Sequence, residues 1–412
     1  MSFVKDFFKK TKTFFYWIIL SAIVGISTGI VGALFHKAID FATQTRTDNP
    51  WLIYLLPFGG VIIVLMYRLS KKQLSTNTVI DCIRNGEKAS GLLAPLIFVG
   101  AFITHLLGGS AGREGAALQI GGGIGSQLAR LFRQKSKESG IMIVCGMSGA
   151  FSAIFTTPVT ATVFALELVS VGHIRYFQLL PCIISSICGY LITSAFGNHT
   201  LFYELASVPP LEPVMCAKVA ILGVLTAFLS ILFCLTLHKT EELMEKTFKK
   251  DYIRAFAGGC IIILLTLIVG CRDYNGAGMD IIGNALSGNA RPEAFALKLI
   301  FTAITVGAGF KGGEIVPAFF IGSTFGVTAG TLLGIDPAFA AALSLICLFC
   351  GIANCPLASL LLGIELFGTE GIVYYTLIVS LSFVTAGHFG LYRSQKIVYS
   401  PMGTDKENNF VK

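Results

Sequence analysis

The sequence predicts an all-helical protein that crosses the bilayer many times and is built from two related halves. Three observations carry that prediction. Of 412 residues, 54% are hydrophobic and 13% charged, whereas soluble proteins carry about 25% charged residues. Apolar runs near the ~20 residues that span a bilayer recur along the chain. They lie at 14–36, 51–67, 89–107, 141–166, 176–197, 215–237, 254–270, 315–335, 337–364 and 371–386, and no soluble catalytic domain fits between them. Finally, "TTPVTATVFALEL" at 156–168 has a counterpart in "NCPLASLLLGIEL" at 354–366.

The first run follows "MSFVKDFFKKTK". A basic flank of this kind can precede a signal peptide. The run is long and no small-residue cleavage site clearly follows it, so a retained first helix is expected, with 1–13 as a cytoplasmic N-terminal segment. The basic residues fall in short loops at 5–12, 67–72, 133–137 and 246–254, while 198–213 has acids and no Lys or Arg. The positive-inside rule places the basic loops and the N-terminus in the cytoplasm. The net charge of +8 therefore reads as membrane topology, not as a nucleic-acid footprint. Eleven cysteines lie mostly inside apolar runs. Cys347, Cys350 and Cys355 have no His or carboxylate companions, so they read as small buried hydrophobes. No metal, cofactor or disulfide is expected.

The two matching segments share a frame of proline, eight residues, glutamate: Pro158 to Glu167, and Pro356 to Glu365, offset by 198. A second pair, Glu114 and Glu314, is offset by 200. Two pairs at nearly one offset define a repeat, with halves at 14–205 and 211–398 and a cytoplasmic tail at 399–412. Such repeats are typical of transporters, with the substrate site where the halves meet; the order of elements does not by itself establish inversion. Glycines and prolines interrupt both halves, and broken helices at membrane depth are tolerated where they line a protected cavity. Helix N-termini there would offer unpaired N–H groups to an anion. Three are expected, at Ser75–Val79, Gly112–Gly115 and Gly312–Ile315.

Glu114 sits in "GGSAGREGAALQIGGG", and apart from its neighbour Arg113 no charged residue occurs between 89 and 129. A carboxylate at bilayer depth costs about 2.5–3.5 kcal/mol on insertion scales, which points to function. Ionised, Glu114 is itself an anion and can occupy an anion site; protonated, it loses that attraction and can swing away. The plainer reading is an Arg113–Glu114 ion pair that fixes the turn. Glu314, beside the second N-terminus, would be neutralised, pair with Lys311, or carry protons. Glu167 and Glu365 read as structural, capping or pairing inside the bundle.

These residues resemble a known family. "GREGA" and "GGEIVP" are similar to Gly-rich motifs of the CLC family of chloride channels and anion/proton antiporters, and so is "GMSGAFSAIFTTPVTATVFALE". The likeness spans roughly 14–398. It implies the CLC fold, two inverted-topology repeats of tilted and broken helices, and a homodimer with one pathway per subunit. Where the family has a serine on its central anion, this chain has Thr76, in "STNTV". Glu314 replaces an aliphatic residue of the chloride branch. Both departures, with "FKGGE" and "FFIG", are similar to the bacterial CLC-type fluoride/proton antiporters, although that branch commonly has Met at the Thr76 position. "GHFGLYRSQ" resembles the branch's last helix and places Tyr392 as the central tyrosine.

The resemblance thus implies export of fluoride in exchange for protons across a bacterial cell membrane, with Glu114 as gate and proton carrier. Fluoride is a small, strong acceptor, so its site should supply compact donors. Candidates are the Thr76 and Tyr392 hydroxyls, the Asn77 amide and the backbone at Gly112, Arg113, Gly115, Gly313 and Ile315. Ring edges are electropositive, so Phe319 and Phe320 join them. A chloride/proton antiporter or a passive chloride channel of the same family is the alternative. An intramembrane serine protease, suggested by "GMSGA" and His388, is the remote one.

Overall fold

A computed structural model describes residues 2–70, 74–198, 203, 208–399, 401 and 406–411, with the backbone alone at 2–10 and 406–408. The expected acidic loop 198–213, the basic loop 67–72 and the tail 399–412 therefore lie partly outside the described residues.

Among the described residues, sixteen α-helices fall into two sets of eight. The first set is α1 (Ser2–Asp48), α2 (Leu56–Tyr67), α3 (Thr76–Asn85), α4 (Leu93–Leu107), α5 (Glu114–Leu131), α6 (Ser136–Phe155), α7 (Pro158–Glu167) and α8 (Leu179–Ala195). The second is α9 (Pro213–Thr247), α10 (Asp251–Val269), α11 (Met279–Leu286), α12 (Ala294–Gly307), α13 (Ile315–Leu333), α14 (Pro337–Ala353), α15 (Pro356–Phe367) and α16 (Ile372–Ala386). In both sets the first helix is the longest and the third and seventh are the shortest. The packing repeats too: α5 lies on α6 as α13 lies on α14, and α1 on α8 as α9 on α16. Among the described residues, seven helical segments are long and apolar enough to cross a membrane.

Local chemistry explains the breaks. The apolar run 141–166 is divided at Thr156, and the run 337–364 at Asn354. Both residues adopt positive φ, 57° and 54°. Each ends one helix, and a proline, Pro158 or Pro356, opens the next, where its missing N–H costs nothing. The new N-termini are capped across the repeat boundary. The Glu167 carboxylate, at the end of α7, accepts from the N–H groups of Leu357 and Ala358 at 3.2 and 2.8 Å. Glu365, near the end of α15, accepts from Val159 and Thr160 at 3.0 and 2.7 Å. The structural role expected of these two acids is this reciprocal capping.

Helices approach closely where side chains are smallest. A Cβ on Gly121 of α5 would overlap the Gly146 carbonyl oxygen of α6, and the reverse also holds. Small residues at helix contacts are the usual packing device in membranes.

Two features add detail to the sequence expectations. Helix α1 runs unbroken from Ser2 through the expected N-terminal segment. The all-helical class carries one small addition: β1 (Ser170–Val171) pairs parallel with β2 (Lys396–Tyr399), which pairs antiparallel with β3 (Lys406–Phe410). Part of the expected tail thus folds back, because Val171, Ile397 and Val411 share a small apolar core.

Candidate functional site

The three expected helix N-termini exist and converge. Ser75 caps α3, its hydroxyl accepting from the Thr78 N–H at 3.3 Å. The helices α5 and α13 start at Glu114 and Ile315. The turns ahead of those two helices meet in an antiparallel bridge between Gly112 and Gly313, with each N–H donating to the other's carbonyl at 2.7 Å. This contact joins the two repeats at the centre of the molecule.

Glu114 is 1% exposed. Its carboxylate accepts from the Arg113 N–H at 2.9 Å, with the N–H groups of Glu114 itself and of Val316 also within reach. A carboxyl oxygen therefore lies beside donors from both N-termini, where an anion would sit. Arg113 is shared between two acids. Its Nη1 is 3.0 Å from Asp40 Oδ1, and its Nε is 3.9 Å from Glu114 Oε1. The Arg113–Glu114 pair of the plainer reading is thus present but long, beside the shorter bond from the Arg113 N–H.

Two cavities flank this point. A narrow one of about 30 Å³ is lined by Arg113, Glu114, Phe155, Tyr203, Val316 and Phe319, among others. A broader one of about 200 Å³ is lined by Thr76, Asn77, Gln119, His238, Glu241, Lys311, Glu314 and Tyr392, among others. It shares Asn77, Glu241, Arg254, Lys311 and Arg393 with a vestibule of about 760 Å³ that reaches Arg68 and Asp251. The vestibule thus lies on the face of the basic loops. Glu114 and Glu314 occupy equivalent places in the two repeats and line opposite cavities, as an inverted relation requires. No ion pair joins Glu314 to Lys311 among the described residues; the Lys311 ammonium lies over the Tyr67 ring, 4.6 Å from its centroid.

In the broad cavity, the Tyr392 hydroxyl is buried and has no hydrogen-bond partner among the described residues. Thr76 Oγ1 accepts from Gln119 Nε2 at 3.2 Å. The Asn77 carbonyl oxygen accepts from the Ser394 N–H at 3.1 Å, which fixes the amide at the cavity wall. The N–H groups of Gly115 and Ile315 belong to the first turns of α5 and α13, where helices leave donors unpaired.

Several expected contacts do not form as read. Gly112 and Gly313 offer no free N–H, because each spends its single donor on the other. The Arg113 N–H is taken by Glu114, and its guanidinium by Asp40. Phe320 lines neither flanking cavity: its ring packs against Tyr274 and lies 5.1 Å from the buried Lys298 ammonium. Adjacent helical residues point in different directions, so Phe319 and Phe320 could not both face the path. Gln119, by contrast, went unnoticed in the sequence. Its signal is being the sole polar side chain between Gly115 and Gly125, and its Oε1 is buried without a partner. Ser148, of the protease reading, donates to the Cys182 carbonyl at 3.1 Å and serves helix packing.

Paired, inverted repeats that bury carboxylates and helix N-termini between two cavities define a membrane ion-transport protein. A family model described as voltage gated chloride channel matches residues 58–387, and the chain belongs to that family. It is 32% identical to a chloride/fluoride channel protein of Pseudomonas syringae pv. tomato, over 93% of this chain and 87% of that one. It is 24% identical to the H(+)/Cl(-) exchange transporter ClcA of Vibrio cholerae, over 92% and 88%. Its fold matches that of a CLC-type fluoride/proton antiporter with a TM-score of 0.89 and 27% identity, over 93% and 98% of the two chains. A slow cyanobacterial Cl-/H+ antiporter has the same fold, with a TM-score of 0.78, 20% identity and coverage of 90% and 94%.

Proposed function

We propose that this protein exports fluoride in exchange for protons. The observation that carries the reading is the Glu114 carboxylate seated on the backbone donors of two opposed helix N-termini. Ionised, it fills the anion site. Protonation removes its charge and its hold on those donors, so the side chain can leave and a substrate anion can take its place. Binding of an anion and loading of a proton are then linked. The inward proton gradient drives the anion out.

Fluoride is favoured over chloride by the character of the broad cavity. The unpartnered Tyr392 hydroxyl, the Thr76–Gln119 pair and the amide of Asn77 are compact polar groups, suited to an ion whose dehydration is costly. Glu314, in the wall of the same cavity, disfavours a weakly bound anion unless a proton accompanies it. We assign it a proton-linked role on the basic face, opposite Glu114. The likeness to proteins named for fluoride supports the same choice. The protein is expected to work as a homodimer in a bacterial plasma membrane, with a separate pathway in each subunit.

The test is efflux from liposomes holding purified protein, followed with fluoride, chloride and pH electrodes. Fluoride efflux with opposite proton movement and little chloride movement is expected. In Glu114→Gln, proton-coupled exchange should disappear, because a neutral amide cannot cycle a proton. Coupled exchange that survives the substitution would remove Glu114 from the mechanism. Chloride efflux in the wild type would assign the protein to a chloride-handling branch.

A further inference from the structure

We infer that His238 is the proton-transfer residue of the basic face, handing protons between the Glu314–Tyr392 end of the broad cavity and Glu241 at its mouth. The inference rests on the proposed proton exchange and adds its exit path. A proton released by Glu114 has to cross the broad cavity and the vestibule. The carboxylates and imidazoles on that wall are Glu314, Glu241 and His238. Glu314 stands at the inner end, one residue from Gly313 of the inter-repeat bridge. Glu241 lines both the broad cavity and the vestibule, so it stands where the two meet. His238 lines the broad cavity alone of these two spaces.

The geometry supports a relay. His238 and Glu241 are three residues apart on α9, which places them on one helix face. His238 Nε2 lies 3.4 Å from the Leu391 carbonyl oxygen, next to Tyr392. If Nε2 donates to that carbonyl, Nδ1 is the basic nitrogen free to take a proton. The cavity of about 200 Å³ has room for several waters at about 30 Å³ each, so no direct contact between the carriers is needed. The charges around the imidazole are mixed. On its own helix stand Glu241 and Glu242, and on the C-terminal segment Arg393, which is 3.2 Å from Glu242. From the other walls come Glu314, Lys311 and Arg254, the last bound to Glu245 at 2.7 Å. Glu242 is thus engaged by Arg393, while Glu241 forms no ion pair among the described residues. In the transfer itself, the imidazole takes a proton from the Glu314 side to become imidazolium. It then loses a proton toward Glu241 and the bulk, and the neutral ring is restored.

The experiment compares wild type, His238→Gln and His238→Ala in liposomes, with fluoride and proton fluxes recorded as the internal pH is varied. Histidine general acid–base catalysis contributes roughly 10²–10⁴-fold, and a parallel water path recovers part of this, so a slowing of about tenfold or more is expected in both variants. Their dependence on internal pH should flatten, fluoride binding measured by calorimetry should persist, and imidazole buffer inside the vesicles should partly restore His238→Ala. A purely structural role for His238 moves neither the pH profile nor the response to imidazole. Wild-type exchange with an unaltered pH profile in His238→Gln overturns this inference alone. Loss of fluoride binding in both variants, without imidazole rescue, also overturns it. Wild-type fluoride flux without proton movement overturns the proposed exchange and the relay with it.

Discussion

At the scale of single residues, the proposed site works by competition for donors. The backbone N–H of Arg113 is bound by the carboxylate of the next residue, so an anion can have it only when Glu114 gives it up. Tyr392 is the complementary case, a buried hydroxyl with nothing to bind. A hydrogen bond to a charged group contributes about 1.5–3 kcal/mol. Tyr392→Phe should therefore weaken fluoride binding by roughly 10–100-fold in calorimetry, with the fold intact. Unchanged binding would place the anion elsewhere. Glu114 was legible in the sequence because a charge in a long uncharged stretch is conspicuous. Gln119 was not, because one amide in an apolar helix has no pattern around it. Gly112 and Gly313 were misread for a physical reason: glycine clusters mark close backbone approach, and here the partner is the other backbone rather than an anion.

At the scale of elements, helix ends carry both the function and the architecture. The reciprocal caps Glu167 and Glu365 each satisfy two N–H groups that open a helix in the other repeat. Stranding buried donors costs about 1–3 kcal/mol. Glu167→Ala and Glu365→Ala should each lower the melting temperature in detergent measurably, with the effects adding in the double variant and with transport per folded molecule retained. A melting temperature unmoved by both would show the caps to be dispensable. Most of the long apolar helices were legible from length and hydropathy. The division of 141–166 and 337–364 was not, since it depends on two non-glycine residues, Thr156 and Asn354, adopting positive φ. Helix α12 escaped notice because Lys298 interrupts its apolar run; in the folded chain that ammonium donates to the Tyr274 and Gly276 carbonyls at 3.3 and 2.6 Å. The short α3 and α11 are too polar or too brief to announce themselves by hydropathy.

At the scale of the whole molecule, two inverted halves give each face its own carboxylate, Glu114 on one side and Glu314 on the other. The pair was legible from its 200-residue spacing; their placement on opposite cavities became visible only in the folded chain. Moving a fluoride out and a proton in carries positive charge inward at both steps, so the proposed cycle is electrogenic at any stoichiometry. Each charge is worth about 2.3 kcal/mol per 100 mV. A potassium gradient with valinomycin that makes liposomes negative inside should speed fluoride efflux, and the opposite potential should slow it. A rate indifferent to potential would contradict coupled exchange of these two ions. The double hydrogen bond between Gly112 and Gly313 limits how such a cycle can proceed. It fastens the halves at their hub, so a rocking motion that parted them would have to tear both bonds at the deepest point of the protein, out of reach of bulk water. The economical alternative is a fixed frame in which only side chains turn, more like a turnstile than a pair of swinging doors. In such a device the ions pass a barrier that never opens to both sides, while the walls on either hand stay where they are.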